Sequence, residues 1–422
     1  MAIKREKRTT RARHTDAHGR ETDRKVIIRM YNVGFGDAFL LQIPDGGGYR
    51  RILFDCGSIE AAQGMKIKEV VDRIIRDVTD ADGSARIDVV VATHRHKDHV
   101  SGFGDPSWDD VIVQEVWMPW TEHPTDAEAR RIRDTQSRLA LNLQAALSLR
   151  GPALGEREQR YQDLVSNSLM LSNDRAMRTL HSGFSGAPRR RFLPADEDGK
   201  RSFETDALPG LKVHILGPSR SPEVIRDMDP PKGKSFLRFH EGSPTVTFIP
   251  QPPFSNDFRL PVPSSATLRP DDMDKIGGAG LFSDLAVAVA LDKAVNGTSL
   301  MIILEIAGIY LLFPGDAQWG TWNEALGDPE WRELLGRISF YKIGHHGSHN
   351  ATPRDFVEKM IPDGISAMAS TLTRQIWPDI PRAQLLAGLV ARKANVARSD
   401  QESSVGKTFT AEEGVIETHI PL

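Results

Sequence analysis

The sequence of 422 residues holds one cysteine, Cys56. No intrachain disulfide can form from it, and no cysteine-rich zinc site can be built. A reducing compartment, the cytoplasm, is the expected location. Long apolar runs are missing as well. The longest reach about half of the roughly 20 residues that a membrane-spanning helix needs. The N-terminus lacks the apolar core of a signal peptide, so neither membrane insertion nor secretion is expected. Charge of one sign is not in excess either: 54 Lys and Arg face 57 Asp and Glu, a net charge of −3. Bulk attraction to nucleic acid is thereby excluded, and any site for a polyanion must be a local patch.

What is present is ordinary in bulk and uneven in detail. Charged residues make up 26% and hydrophobic residues 39%, as in soluble globular proteins. The length permits a large core and, by itself, two or three domains. Residues 1–25 carry Lys4, Arg5, Lys7, Arg8, Arg11, Arg13, Arg20, Arg24 and Lys25 and almost nothing apolar to bury. A solvated, disordered basic tail is expected there, one that could touch phosphates. Arg189-Arg190-Arg191 is a second basic cluster.

Apolar runs and turn residues predict strands over 26–31, 38–43 and 51–54, joined by glycine-rich turns, hence an antiparallel start. Helical spacing of Ile67, Val70, Val71, Ile74, Ile75 and Val78 predicts an amphipathic helix over 64–78. Strands follow over 87–92 and 111–117. From Thr125 to about His181 the pattern is helical, with Thr125-Asp126 as a cap and Gly151-Pro152 as a break. Strands over 211–216, 299–306 and 308–313 come next, the last two forming a hairpin at Ala307-Gly308. A helix over 318–336, a strand over 338–343, a helix over 353–360, a strand over 365–370, a helix near 381–393 and strands over 394–398 and 414–419 complete the expectation. Residues 229–280 are crowded with proline. They read as a long loop insertion, a length that is often functional.

Chemistry concentrates at the ends of the predicted strands. Residues 93–99 read Thr-His-Arg-His-Lys-Asp-His, directly after an apolar strand. Three imidazoles and a carboxylate within six residues form the donor set that borderline-soft divalent metals take, and one such string can order ligands for two adjacent metals. Asp55, Asp316, His345 and His346 stand at other strand ends. Side chains so placed can converge at one rim without disturbing a core. Residues spread from 55 to 346 can share a site only within one folded unit, so a single domain over 26–422 is expected. It would carry a helical insertion at about 125–187 and the proline-rich one at about 229–280.

Asp55 in Leu53-Phe54-Asp55-Cys56-Gly57, the His94-x-His96-x-Asp98-His99 string, and Gly315-Asp316 resemble the ordered motifs of the metallo-β-lactamase superfamily. Asn32-Val33-Gly34-Phe35-Gly36-Asp37-Ala38, Asn296-Gly297-Thr298-Ser299-Leu300 and Gly344-His345-His346-Gly347-Ser348 are similar to motifs of one branch. That branch contains the hydrolase-like domain of the DNA-uptake channel protein ComEC and a bacterial phosphorylcholine esterase. The motifs cover about residues 26–400. The resemblance implies an α/β fold, a four-layer αββα sandwich of two mixed sheets with helices outside.

It also implies a dinuclear centre. His94 and His96, two apart on extended chain and able to face the same way, would hold the first of two divalent metal ions. Asp98 and His99, where the chain turns into a helix, would hold the second, with Asp316 bridging. Extended neighbours point to opposite sides, so His346 is expected as a ligand and His345 beside a substrate oxyanion. Asp55 would orient a ligand histidine by a hydrogen bond. Asp37, Asn296 and Ser348 are candidates for the pocket wall or for turns.

Two departures from the family pattern stand out. The superfamily usually supplies a further histidine to the first metal, yet residues 217–220 and 296–299 contain none. His123 is a candidate substitute, although an exposed loop histidine is the ordinary expectation. An oxygen-richer first site makes manganese a competitor to zinc. Trp377 stands where the branch often has histidine.

The expected function is metal-assisted hydrolysis, with Asp98 and His345 in the catalytic roles. A phosphodiesterase or nuclease acting on DNA or RNA leads. A small-ester, lactone or lactam hydrolase with the same centre is the alternative. A third reading is a metal-bound subunit, of a defence-type system, active only with protein partners.

Overall fold

In the computed structural model the described residues are 24–59, 66–148, 173–194, 200–236, 294–373, 379–404, 406 and 408–422. The basic tail up to residue 23, the Gly151-Pro152 break, Trp377 and most of the proline-rich insertion lie outside them. Alternating and fully apolar runs pair into two sheets. The strands are β1 (Lys25–Tyr31), β2 (Phe39–Asp45), β3 (Gly48–Phe54), β4 (Arg86–Val91), β5 (Ile112–Pro119), β6 (Arg189–Leu193), β7 (Ser202–Glu204) and β8 (Leu211–Gly217). There follow β9 (Met301–Ile306), β10 (Ile309–Phe313), β11 (Ile338–Lys342), β12 (Ser366–Ala369), β13 (Asn395–Arg398), β14 (Phe409–Glu412) and β15 (Val415–Pro421).

One sheet runs β14-β15-β1-β2-β3-β4-β5-β6 and the other β13-β12-β11-β10-β9-β8-β7. Each is mixed. The pairs from β14 to β3 are antiparallel and those from β3 to β6 parallel. In the second sheet β10 to β13 pair parallel and β7 to β10 antiparallel. The antiparallel start over β1–β3 is as the sequence implied. The β9–β10 hairpin turns at Ala307-Gly308, whose φ values of 49° and 83° suit a tight primed turn.

The helices are α1 (Ile67–Asp77), α2 (Lys97–Val100), α3 (Ala127–Ser148), α4 (Asp174–Ser182), α5 (Pro222–Arg226), α6 (Trp319–Gly327), α7 (Pro329–Leu335) and α8 (Ala383–Ala391). Asp126 caps α3, its Oδ1 accepting from the Ala129 N–H at 2.8 Å. The single helix expected over 318–336 is two. Asp328 accepts from the N–H groups of Glu330 and Trp331 and starts α7, with Pro329 at its first position. Proline cannot supply the N–H that a continuous helix needs, so the chain restarts there. Over 353–360 the regular part is a short wide turn, Phe356–Met360.

Three clusters stack the layers. Val26, Ile28, Met30, Phe39, Leu41, Val89 and Val91 of one sheet meet Val213, Ile302, Leu304, Leu311, Phe313 and Phe340 of the other. Phe54 stacks on Phe313 across this interface at 4.0 Å. The outer face of the first sheet packs on Val70, Val71 and Ile74 of α1 and on Ala176, Met177 and Leu180 of α4. The outer face of the second packs on Trp322, Leu335, Leu385 and Leu389. The order is therefore helices, sheet, sheet, helices. Strands buried on both faces explain why β4 reads as an uninterrupted apolar run near its end. Among the described residues no helix is long and apolar enough to cross a membrane.

Candidate metal centre

The parallel strands β3, β4, β10 and β11 all deliver their C-terminal ends to one rim. Asp55 follows β3, the residues from Thr93 to His99 follow β4, Asp316 follows β10, and Lys342, His345 and His346 end or follow β11. Backbone bonds stitch the loops together. Asp37 N–H donates to Asp98 O (2.9 Å), Gly57 N–H to Asp37 O (3.0 Å) and Cys56 N–H to His99 O (2.8 Å). The approach is so close that a Cβ on Gly36 would lie 2.2 Å from Gly57 O, and one on Gly57 2.4 Å from Lys97 O. Glycine at these motif positions is required by contact.

Asp98, His99, Asp316 and His346 offer ligand atoms that all lie within 4.8 Å of one another. Their hydrogen bonds fix which nitrogen faces inward. His346 Nδ1 donates to Ser370 O at 2.8 Å, which leaves its Nε2 lone pair toward Asp98 Oδ2 at 3.1 Å. His99 Nδ1 donates to Asp55 Oδ2 at 2.8 Å. Its Nε2 is 3.2 Å from Asp316 Oδ2 yet has no hydrogen-bond partner among the described residues. Two imidazole nitrogens and two carboxylates thus converge in a largely buried cluster, a donor set that fits a divalent transition metal. Asp55 holds His99 and also accepts from Thr93 N–H and Thr93 Oγ1, both at 2.7 Å.

His94 and His96 stand beside this group. His94 Nε2 and His96 Nδ1 are 3.1 Å apart, a spacing that one metal could chelate. Asp316 is drawn toward the Asp98, His99 and His346 side, whereas the side chain that joins the histidine pair is Asn296, hydrogen-bonded to His96. Asn296 Nδ2 also lies 3.4 Å from His345 Nε2. The two rings of the His345-His346 pair diverge, but not because the chain is extended. Their φ values are 45° and 53°, and Gly347 follows at 85°. This left-handed turn buries His346 fully and leaves the His345 side chain 19% exposed at the mouth. Asp55 is left-handed too, at φ 53°. Such conformations cost about 1–2 kcal/mol per non-glycine residue and cluster where function requires them.

The charges are strongly coupled. Burial opposes protonation of His99, but Asp316, Asp55 and Asp98 outweigh it and hold its pKa well above the ordinary value. Burial works against ionised Asp316, yet His99, His345 and Lys342 hold its carboxyl well below the usual range. Burial, then the neighbouring His99, pushes His94 down. Among the described residues, three buried carboxylates, Asp37, Asp55 and Asp316, and the partly exposed Asp98 share the site with the ammonium of Lys342. With His99 protonated the formal charge is −2, an imbalance that a bound cation would relieve.

Lys342 is the residue that the sequence reading missed. It pairs with Asp37 and lies 3.7 Å from Asp316 Oδ1. The available signal was a lysine closing an apolar strand just before Gly-His-His. Asp37 is therefore half of a buried ion pair. Ser348 closes the turn, its Oγ donating to Asn350 Oδ1 at 2.8 Å. His123 is elsewhere. Its Nδ1 accepts from the N–H groups of Thr125 and Asp126, and its ring packs on Phe192. Two arginines of the Arg189–Arg191 cluster are structural. Arg191 binds Glu115, and Arg190 binds the carbonyls of Leu180, Gly183 and Pro188. Strand alternation turns Arg191 inward, so the cluster is not one exposed patch. Cys56 is buried, and burial raises its thiol far above the usual range.

No family model matches the chain, and no curated protein matches it. Fold and site together define a two-sheet mixed α/β protein with a buried Asp/His cluster at the strand ends.

Proposed function

We propose that this chain is a metal-dependent hydrolase of the metallo-β-lactamase fold, related to the branch that includes the ComEC hydrolase-like domain. The proposed substrate class is a phosphodiester, with DNA or RNA favoured. The observation that carries the reading is the convergence of Asp98, His99, Asp316 and His346 within 4.8 Å. The His94–His96 pair stands alongside it as a second position.

Asp98, His99, Asp316 and His346 would hold one divalent ion and His94 and His96 a second, of zinc or manganese. When bound, the metal supplies Lewis acidity and an activated water. The chain's own residues do the rest. Asp55 and Ser370 lock the imidazole tautomers of His99 and His346. Asp98 is the most accessible carboxylate of the four-residue group, at 14% side-chain exposure, and would orient the attacking water. His345, at the mouth with its Nε2 3.8 Å from Asp316 Oδ2, would donate to a substrate oxygen. Arg95, between the two histidines in the chain, pairs with buried Glu122 at 3.6 Å and Arg382 pairs with Asp379 at 3.1 Å, so the preference for an anionic substrate rests on the family resemblance.

The test is metal analysis of the purified chain, then a panel of phosphodiesters, single- and double-stranded DNA, and RNA with manganese or zinc. Asp98→Asn and chelated protein run in parallel. Hydrolysis that requires metal and disappears in Asp98→Asn supports the reading. Wild-type protein that binds no metal, or cleaves nothing that the variant leaves intact, sinks it.

A further inference from the structure

We infer that the Lys342 ammonium is a built-in cation of this centre. It occupies the carboxylates of Asp37 and the Oδ1 side of Asp316, and so confines an added divalent ion to the side of Asp98, His99 and His346. The inference rests on the metal-centre reading above and adds a residue that positions the metal without binding it.

The strand puts the lysine there. Side chains alternate along β11, so Phe340 and Lys342 face the same way. Phe340 enters the core between the sheets and Tyr341 the outer layer. One step further toward the rim, the opposite sheet offers Asp37 and Asp55 in place of apolar residues. Lys342 is only 3% exposed. A buried ammonium persists only when paired, and its partner is Asp37.

The carboxylates are divided accordingly. Asp316 turns Oδ2 toward His99 Nε2 (3.2 Å) and Oδ1 toward Lys342 Nζ (3.7 Å) and the His345 N–H (3.1 Å). Beside it lies a second group able to hold a cation: Asp37, Asp55 and His99, again with ligand atoms within 4.8 Å of one another. A metal seated there would take His99 by the other nitrogen, Nδ1, which the present arrangement gives to Asp55. That would leave the His99 proton on Nε2, so the group of Asp98, Asp316 and His346 would hold its own metal without His99 and more weakly. The Lys342–Asp37 pair satisfies this competing group permanently with a charge that cannot leave.

The experiment uses the full chain stripped of metal, as wild type, Lys342→Met, Asp37→Asn and the double variant. Each is titrated with Mn2+ alone by calorimetry, and bound metal is counted by elemental analysis after dialysis. Lys342→Met is expected to take up one more equivalent per chain than wild type. Asp37→Asn should keep the wild-type count but bind roughly 10–100-fold more weakly, because the released ammonium turns to Asp316. The double variant should return to the wild-type count, with affinity within about threefold of wild type, the scatter usual for such contributions. An unchanged count in Lys342→Met, or wild-type affinity in Asp37→Asn, overturns the role of Lys342. If Lys342→Met does not fold, Asp37→Asn and the double variant decide alone. Wild type that binds no Mn2+ overturns the metal centre itself, a different failure from unaltered binding in the variants.

Discussion

Asp55→Asn separates orienting a ligand from holding the fold. Asparagine has nearly the same shape and tolerates the left-handed backbone at this position (φ 53°). Its oxygen can replace Oδ1 and keep the bond from the Thr93 N–H at 2.7 Å. Its NH2 then replaces Oδ2, which now accepts from Thr93 Oγ1 and His99 Nδ1 at 2.7 and 2.8 Å. Two donors cannot face each other, so His99 must give up its Nδ1 proton and keep the one on Nε2. In the metal-free protein that proton is welcome, because Asp316 Oδ2 lies 3.2 Å away. Metal-free His99 is held protonated by Asp316, Asp55 and Asp98, so the variant removes a charged hydrogen bond and metal-free stability should fall by about 1.5–3 kcal/mol. A metal, in contrast, needs the Nε2 lone pair. Losing the orienting carboxylate should weaken binding about 10–100-fold, or about 1.4–2.7 kcal/mol. Urea unfolding in chelator gives the first quantity and competition with a chromophoric chelator the second. Wild-type metal affinity in Asp55→Asn would refute the tautomer argument. A loss of metal-free stability beyond that range would show that Asp55 serves the fold.

Glu115 should be a stability residue remote from the chemistry. It accepts from Trp117 Nε1 (2.8 Å), Arg191 (2.8 and 3.2 Å) and Thr205 Oγ1 (2.7 Å). Glu115→Gln sets an NH2 against those donors and should cost about 3 kcal/mol in urea unfolding at pH 7. Burial works to raise this carboxyl, but Arg191, Thr205 and Trp117 together hold it below its ordinary 4.5. The folded value thus lies under the unfolded one. The stabilisation is complete above about 4.5 and fades as pH falls through the folded value, so the gap between variant and wild type must close in acid; a gap that persists there would refute the assignment. His345→Gly relieves a left-handed backbone worth about 1 kcal/mol, offset by glycine's unfolded-state entropy of about 0.5–1 kcal/mol. Thermal stability should stay near wild type while hydrolysis falls. A loss above about 2 kcal/mol, beyond the 0.5–1.5 of an ordinary hydrogen bond, would mean that the side chain supports the turn.

Most strands could be read locally, because apolar runs bounded by glycine and proline are written residue by residue. The β1–β3 meander, the hairpin at Ala307-Gly308 and the amphipathic α1 needed no long-range information. The break at Asp328-Pro329 was equally local, yet it was hidden by an apolar pattern that continues across it. Short β14 has too few apolar residues to announce itself, and exists because β15 pairs with it.

The residue types at the centre were likewise fixed by the sequence: histidines and aspartates at strand ends, in an order that only a metal or a solvated loop could explain. Their division of labour was not. Tertiary packing gave Nε2 of His99 and His346 to the interior, through partners distant in the chain, Asp55 and Ser370. It spent Arg190 and Arg191 on structure, and it turned His345 outward by a left-handed turn that the string Gly-His-His-Gly does not declare. Above all, it drew Lys342 across the gap between the sheets to Asp37. Periodicity can place that lysine on a face of its strand, but only the packed sheets decide which carboxylate it meets.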